Sequence, residues 1–338
     1  MIEVQEHIPL AAHGTFRIGG PAQFFTVVKT SEEAREAKKM SDELRVPFFV
    51  LGGGSNMLFA DAGFSGLVAK MAIGGIRSVG ECVTVGAGVI WDDFVAWTIA
   101  HKLFGLENLS GIPGTVGGAV VGNVGAYGRE VCDTLVSVEV IDGEKMRQLT
   151  ADECRFGYRS SFFKTADGKK LVVVRATFQL HRKPIVAADY PDVHAYFAKE
   201  HIAVATVTPH HVRTAVLEIR AKKLPNLQQV GTAGSFFKNP IIGSSVFEKL
   251  KKQFPDMPGF SEPDSALRIK VPAGWLLDKV CGLKGKRWGA VGTHSEQALV
   301  LVNFGGAAAA DVAAAAARMA AATAAATGIT LEREVEYL

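Results

Sequence analysis

Residues Gly111 to Gly128 read GIPGTVGGAVVGNVGAYG, with glycine at seven positions and no charged side chain. A tight turn needs one or two glycines. Seven in one neutral stretch suit a backbone that comes close to a large planar cofactor and its pyrophosphate, because a residue without a Cβ brings its N–H groups nearest to a ligand. The bland alternative is a buried packing loop. About sixty residues upstream, the apolar run PFFVLG ends in Gly52, Gly53, Gly54, Ser55 and Asn56, where consecutive N–H groups can converge on phosphate oxygens and two side chains add donors. A Rossmann site needs a helix directly after such a loop. Here NMLFADAGFSGLVAK follows, with turn chemistry and another strand, so the sequence predicts a dinucleotide held by loops alone.

Outward from these loops, FFTVVK, SEEAREAKKMSDEL and PFFVLG read as strand, helix and strand, a small βαβ unit with Ser31 as the helix cap. GLVAKMA, SVGECVTVGAG and the stretch from Leu135 to Leu180 alternate β-formers with turns, Asp142-Gly143 and Asp167-Gly168 among them. A helix is expected from Asp92 to His101. Pro184 to Pro209 is a polar, aromatic-dotted excursion resembling an active-site loop, and HHVRTAVLEIRAKKLP after it reads as helix. Further on comes a mixed region with SSVFEKLKKQF, AGWLLDKVC and the alanine-rich helix Ala307 to Thr327, and LEREVEYL alternates as a final strand that is expected to join an older sheet.

The chain has 338 residues, which favours more than one core. Its net charge of +3, spread along the chain, gives no footprint for nucleic acid or an anionic membrane. Asp311 and Arg318 interrupt the alanine-rich segment, so it reads as a packed helix rather than a span. The N-terminus lacks the basic start and apolar run of a secretory signal, which points to the cytoplasm. Cys82, Cys132, Cys154 and Cys281 form no Cys-x-x-Cys pair and are expected as reduced, mostly buried thiols. No metal set is expected: the adjacent His210 and His211 cannot face one ligand from a helix. KLKKQF reads as a solvated helix face. Lys284, Lys286 and Arg287 suit a loop or a nucleotide contact, and nothing points to a protein partner.

The two glycine loops together are similar to the FAD-contacting loops of vanillyl-alcohol-oxidase (PCMH-type) flavoproteins. RFGYRSSFFK, AGSFFKNP, AGWLLDK and HSEQALVLVN narrow the resemblance to the UDP-N-acetylenolpyruvoylglucosamine reductase family, over nearly the whole chain and in order. That resemblance implies an α+β protein with a PCMH-type FAD-binding fold in two lobes: residues 1–69 completed by 327–338, and 70–213, the FAD-binding region being about 17–183. A substrate domain of α+β type would span 214–326. It further implies non-covalent FAD, NADPH as hydride donor and reduction of a UDP-sugar enolpyruvate to UDP-N-acetylmuramate for peptidoglycan synthesis, with small molecules as the partners.

By the same resemblance FAD contacts fall on Gly52, Gly53, Gly54, Ser55, Asn56, Pro113, Gly114, Gly117, Gly118, Asn123, Gly125 and Ala126. Substrate contacts fall on Tyr127, Tyr190, Lys223, Asn239 and Gln297, and catalytic roles on Arg159, Ser235 and Glu334. These residue types suit the chemistry. A guanidinium forks onto a substrate carboxylate as negative charge grows there. A serine hydroxyl can deliver a proton to carbon if Lys238, Asn239 or a water resupplies it. A glutamate beside a carboxylate helps when protonated, as burial and like charge favour. Lys222 and Lys223 also suit a helix C-terminus. Two departures from the family pattern bear on Glu334: Arg333 stands where proline is common, and only four residues follow the glutamate. From the residues alone, an FAD oxidase of the same fold and a non-catalytic flavin or nucleotide-sugar module stay open.

Overall fold

The computed structural model describes residues 2–184, 190–262 and 265–338. The chain divides into two compact units: the first holds Met1–Ile8, Ala22–Gly54 and Phe64–Ala221, the second Pro9–Pro21, Ser55–Gly63 and Lys222–Leu338.

The first unit contains a four-stranded sheet in the order Val4–Pro9, Pro21–Val28, Phe64–Met71, Phe48–Leu51, the last three parallel. Helix α1 (Ser31–Glu43) connects the second and fourth of these, so the βαβ unit is split by a later strand that takes the central place. Phe64–Met71 earns that position by its apolar run: Leu67, Val68 and Ala69 are all buried. The helix cap is Thr30, whose hydroxyl accepts from Glu33 N–H at 3.1 Å. Ser31, the cap expected from sequence, is instead the first helical residue. Two adjacent hydroxyl residues made the choice a matter of one backbone dihedral, and Thr30 is the one that is extended.

A second sheet is antiparallel throughout, in the order Lys145–Thr150, Leu135–Asp142, Val172–Gln179, Cys82–Gly86, Ile76–Val79. Asp142 and Gly143 sit at the hairpin between its first two strands as expected, Gly143 with φ of +60°. Asp167-Gly168 does not join strands: it leads into a short 3-10 turn, Gly168–Lys170. Helix α2 (Trp91–Ala100) buries Trp91, Phe94 and Val95; the Trp91 ring packs edge-on and the Phe94 ring tilted against Phe178 of the sheet.

Two expectations about irregular chain are corrected. Inside the second glycine loop, helix α3 (Val116–Gly122) forms, capped by Thr115 and closed by Asn123 in the left-handed region. Val116 and Val120 are fully buried, and burial of that face overrides the poor helix propensity of glycine. The excursion before Pro209 is not a bare loop either. It holds helix α4 (Pro191–Lys199), started by Pro191, and with α5 (Pro209–Lys223) it builds a small core of Val193, Phe197, Val212, Ala215, Val216 and Ile219.

The second unit has two three-stranded sheets, Ile241–Gly243 with Ser265–Lys270 and Phe260–Glu262, and Arg287–Trp288 with Val291–Thr293 and Leu301–Asn303. Around them lie α6 (Ser244–Gln253), the short α7 (Ala273–Trp275) continued by a π turn over Leu276–Val280, and α8 (Ala309–Thr327). Only Leu250 of α6 is buried; Lys249 and Lys252 face water as expected, whereas half-buried Lys251 donates to the Met257 carbonyl at 2.8 Å. The alanine-rich α8 packs through Val312, Ala315, Ala316, Met319 and Thr323 and ends at Gly328 with φ of +72°. Among the described residues no helix is long and apolar enough to cross a membrane. The final strand, Glu336–Tyr337, pairs in parallel with Met57–Leu58, the older partner that its alternation required. All four cysteines are free, but only Cys154 is buried, and Cys82 is exposed on its strand.

Candidate active site

In the first unit the two glycine loops meet backbone to backbone. A Cβ on Gly53 would lie 2.5 Å from Gly114 Cα, one on Gly52 2.8 Å from Thr115 Oγ1, and one on Gly117 3.0 Å from Ala87 Cβ. Gly52 and Gly53 are thus required by the packing of one loop on the other, and Gly117 by the packing of the second loop on Ala87. Lys70, on the strand beside Phe48–Leu51, donates to the Gly52 carbonyl, and burial lowers its pKa. Sequence reading missed this amine, which pins the first loop from below. Gly54 turns with φ of +64°, while Pro113 and Gly118 stand exposed. A cradle of close-packed, uncharged backbone is a fitting donor set for a flavin dinucleotide's pyrophosphate.

After α3 the loop folds back as a hairpin in which Gly125–Ala126 pairs with Arg129–Glu130. Its tip is Tyr127 and Gly128, with φ of +49° and +78°. Two successive positive φ values define a type I′ turn, in which a tyrosine at the first position is strained. The Tyr127 ring is half-buried against the small core of α4 and α5, edge-on to Tyr190 with centroids 5.3 Å apart. Asn108 Nδ2 donates to the Tyr127 carbonyl at 2.9 Å, and burial first of all pushes the Tyr127 phenol up to about 12.

Arg159 is delivered to this hairpin. It sits in a tight turn, Gly157 to Ser160, bonded both ways at 3.0 and 2.9 Å, and its own φ is +52°. Its guanidinium donates to the Gly125 carbonyl and lies 3.7 Å from Glu130 Oε1. A Cβ on Gly125 would be 2.8 Å from Arg159 Nη1, so glycine there makes room for the guanidinium. Asn123, fully buried, ties the parts together: its amide donates to Glu130 Oε2 at 2.8 Å and the Gly157 carbonyl at 3.0 Å, and its Oδ1 accepts from Cys132 N–H at 3.1 Å. The side chain expected against a cofactor is committed to holding the Arg159 turn.

In the second unit, Ser235 and Glu334 lie on adjoining segments. Ser235 follows Gly234 (φ +74°) and bridges Val300, while Phe236 and Phe237 beside it are buried. Glu334 N–H donates to the Phe236 carbonyl and Lys238 N–H to the Glu332 carbonyl, both at 2.9 Å. Arg333 is therefore opposite Phe237 in a non-hydrogen-bonded pair, where its own N–H is outside this pairing. The backbone pairing there needs no N–H from this residue, and the Arg333 guanidinium lies over the Tyr337 ring. The Glu334 carbonyl accepts from Asn56 Nδ2 at 3.0 Å, and Glu336 N–H donates to the Asn56 carbonyl at 3.0 Å. Glu334 is accordingly fixed through its backbone on both sides.

The three glutamates of that strand are not equivalent. Glu332 is exposed and pairs with Lys238 at 2.6 Å, whereas Glu334 is half-buried. That pairing also occupies Lys238, one possible proton source for Ser235. Asn239 Oδ1 accepts from Ala273 N–H at 2.9 Å, and Gln297 Oε1 lies where a Cβ on Gly274 would be, 2.5 Å from it. Asn239 and Gln297 thus converge on the start of α7. Lys223 is exposed at the end of α5. His210 is exposed, and His211 Nδ1 accepts from Thr208 N–H, a capping role. Lys284 pairs with Asp278 at 3.4 Å, and Arg287 lies over the Phe304 ring.

Two families of known domains match the chain. Residues 22–146 match the FAD binding domain family, and residues 225–338 match the C-terminal domain family of UDP-N-acetylenolpyruvoylglucosamine reductase. The UDP-N-acetylenolpyruvoylglucosamine reductase of Burkholderia cenocepacia is 42% identical over 96% of this chain and 94% of its own, and that of Burkholderia multivorans is 41% identical over the same shares. The crystal structure of the UDP-N-acetylenolpyruvylglucosamine reductase of Thermus caldophilus aligns with a TM-score of 0.70 at 29% identity, covering 100% of this chain and 98% of that one.

Proposed function

Because the chain belongs to the UDP-N-acetylenolpyruvoylglucosamine reductase family, we propose that it reduces the enolpyruvyl ether of UDP-N-acetylglucosamine to UDP-N-acetylmuramate, an oxidoreductase step of peptidoglycan precursor synthesis, in the cytoplasm. The two glycine loops would hold FAD non-covalently, and it would supply there the hydride chemistry between NADPH and the substrate's methylene carbon. The observation that supports this reading best is the Arg159 guanidinium held against Gly125 of the second loop. A guanidinium able to fork onto a carboxylate is thereby set beside the loop assigned to the flavin, where a substrate carboxylate gains negative charge as hydride adds.

Ser235 holds the proton destined for the carbon adjacent to the methylene. Glu334, fixed through both its backbone groups, donates to the substrate carboxylate in its protonated form. Tyr127, Tyr190, Lys223, Asn239 and Gln297 hold the sugar nucleotide. Gly52 to Gly54, Ser55, Asn56, Pro113, Gly114, Gly117, Gly118, Gly125 and Ala126 contact FAD, with Asn123 acting through the Arg159 turn. Residues 1–69 with 327–338 and residues 70–213 form the flavin lobes, and 214–326 the substrate domain.

The test is an anaerobic titration of purified holoenzyme. NADPH should bleach the flavin, and the UDP-sugar enolpyruvate should restore its colour with one product formed per flavin reoxidised. No bleaching by NADPH, or reoxidation only by oxygen, would replace this reading with that of an oxidase.

A further inference from the structure

Helix α5 reaches both ends of the second glycine loop through residues that none of the assignments above uses. Gly111 opens the loop with φ of +69°. Its N–H donates to Asp92 Oδ1 at 2.6 Å, and its carbonyl accepts from Arg220 Nε at 3.1 Å. Asp92 is gripped in turn by both terminal nitrogens of Arg213, at 2.6 and 2.9 Å. A Cβ on Gly111 would lie 2.8 Å from Leu217 Cδ2, so α5 presses directly on this peptide. At the other end of the loop, the Tyr127 hydroxyl accepts a hydrogen bond from the same Arg220.

We infer that Arg220 is a positioning residue: a single guanidinium, bonded through Nε to the Gly111 carbonyl and bonded also to the Tyr127 side chain, sets the spacing between the loop's two ends and aims Tyr127 at the sugar nucleotide. The inference rests on the assignment of Tyr127 to that ligand. Arginine is required because its donors point in fixed, divergent directions, whereas a lysine's single nitrogen cannot serve two acceptors on opposite sides. A phenol that accepts from a cation also becomes a stronger donor, since its oxygen is polarised, and its O–H stays free for a phosphate or sugar oxygen. Burial keeps that phenol protonated far above neutral pH. The Tyr190 ring against Tyr127 receives the same alignment at second hand.

The experiment is a double-mutant cycle on purified holoenzyme with Arg220→Gln, Tyr127→Phe and the pair, alongside Arg220→Lys. UDP binding to the oxidised enzyme is measured by calorimetry, and KM, kcat and FAD content are measured separately. Arg220→Gln should weaken UDP binding and raise KM about tenfold with kcat changed less than threefold, and Tyr127→Phe should do the same. The double variant should be no worse than either single one. Arg220→Lys should not restore binding. Additive losses, full rescue by lysine, or loss of FAD with UDP binding unchanged would each overturn the inference. Should Arg220→Gln not fold, the comparison of Arg220→Lys with Tyr127→Phe still decides it. A parent enzyme that binds UDP but is not bleached by NADPH would count against the proposed reaction and leave the Arg220–Tyr127 coupling measurable.

Discussion

Gly125 and Ser235 carry the sharpest consequences at the scale of single residues. A methyl at position 125 would fall 2.8 Å from both Arg159 Nη1 and Glu130 Cγ. Gly125→Ala should displace the guanidinium by a fraction of an ångström to an ångström, enough to slow substrate reduction by about a hundredfold. Per bound flavin, the rate of bleaching by NADPH should change far less than substrate reduction, because the role proposed for Arg159 belongs to the second half-reaction alone. Stopped-flow measurement of the two halves checks this, and equal losses in both would move the cause from Arg159 to the loop. Ser235→Ala should likewise spare flavin reduction while slowing reoxidation by substrate about a hundredfold or more. Unchanged reoxidation would make Ser235 a turn residue. Serine after glycine reads as a turn in any sequence. Its pairing beside the glutamate strand depends on a contact across roughly a hundred residues, and neither glycine spacing nor composition reports such a contact.

Among the elements, α5 is tied to the glycine loop by Asp92, and this tie makes a pH prediction. Burial alone would raise the Asp92 carboxyl, but the Arg213 hydrogen bond, the Gly111 N–H and the charges of Arg213 and Arg220 outweigh it, so its pKa lies below the ordinary 3.8. A carboxylate whose pKa is depressed by folding stabilises the fold fully above its unfolded value. That contribution is lost as pH falls through the folded value. The unfolding free energy of the parent should exceed that of Asp92→Asn by roughly 1 kcal/mol near neutral pH, after allowance for solvent screening. The gap should close only below about pH 4. A gap independent of pH would mean that the side chain's shape matters and its charge does not. Most elements were legible beforehand, because α1, α2, α5 and α8 have the apolar periodicity or composition of helices. Helix α3 was not, since glycine-rich sequence has no helical signature of its own and Val116 and Val120 become helical by being buried. Helix α4 was hidden by the polar surface it presents, with only Val193 and Phe197 turned inward.

For the whole molecule, the consequence lies in how the chain is apportioned. The second unit takes Pro9–Pro21 and Ser55–Gly63 from the N-terminal part of the sequence, and with them Phe16, Ile18 and Leu58 of its core. It also takes the Phe16 carbonyl that accepts from buried Asn303 Nδ2 at 3.0 Å, and the strand Met57–Leu58 that pairs with the terminal one. Each of those side chains contributes about 1.5–3 kcal/mol by burial, so a fragment of residues 222–338 forfeits roughly 5–9 kcal/mol against a total stability of about 5–15 kcal/mol. The fragment should be unfolded or molten, with a dispersed-core signal absent from its NMR spectrum and strong binding of an apolar dye. A cooperatively folded fragment would show those three residues to be dispensable.

What the sequence determined by itself was local. Glycine density marked the two loops, periodicity marked the longer helices, and alternation marked the last strand, because each signal is carried by neighbours along the chain. The motif order marked the family. Tertiary structure alone decided that Gly53 meets Gly114, that Asn123 serves the Arg159 turn, that Asn56 holds the backbone of Glu334, and that Arg220 spans the ends of the glycine loop. These contacts join residues tens to hundreds of positions apart, where closing the chain is what brings a donor to its acceptor, and no spacing within a single sequence encodes that closure.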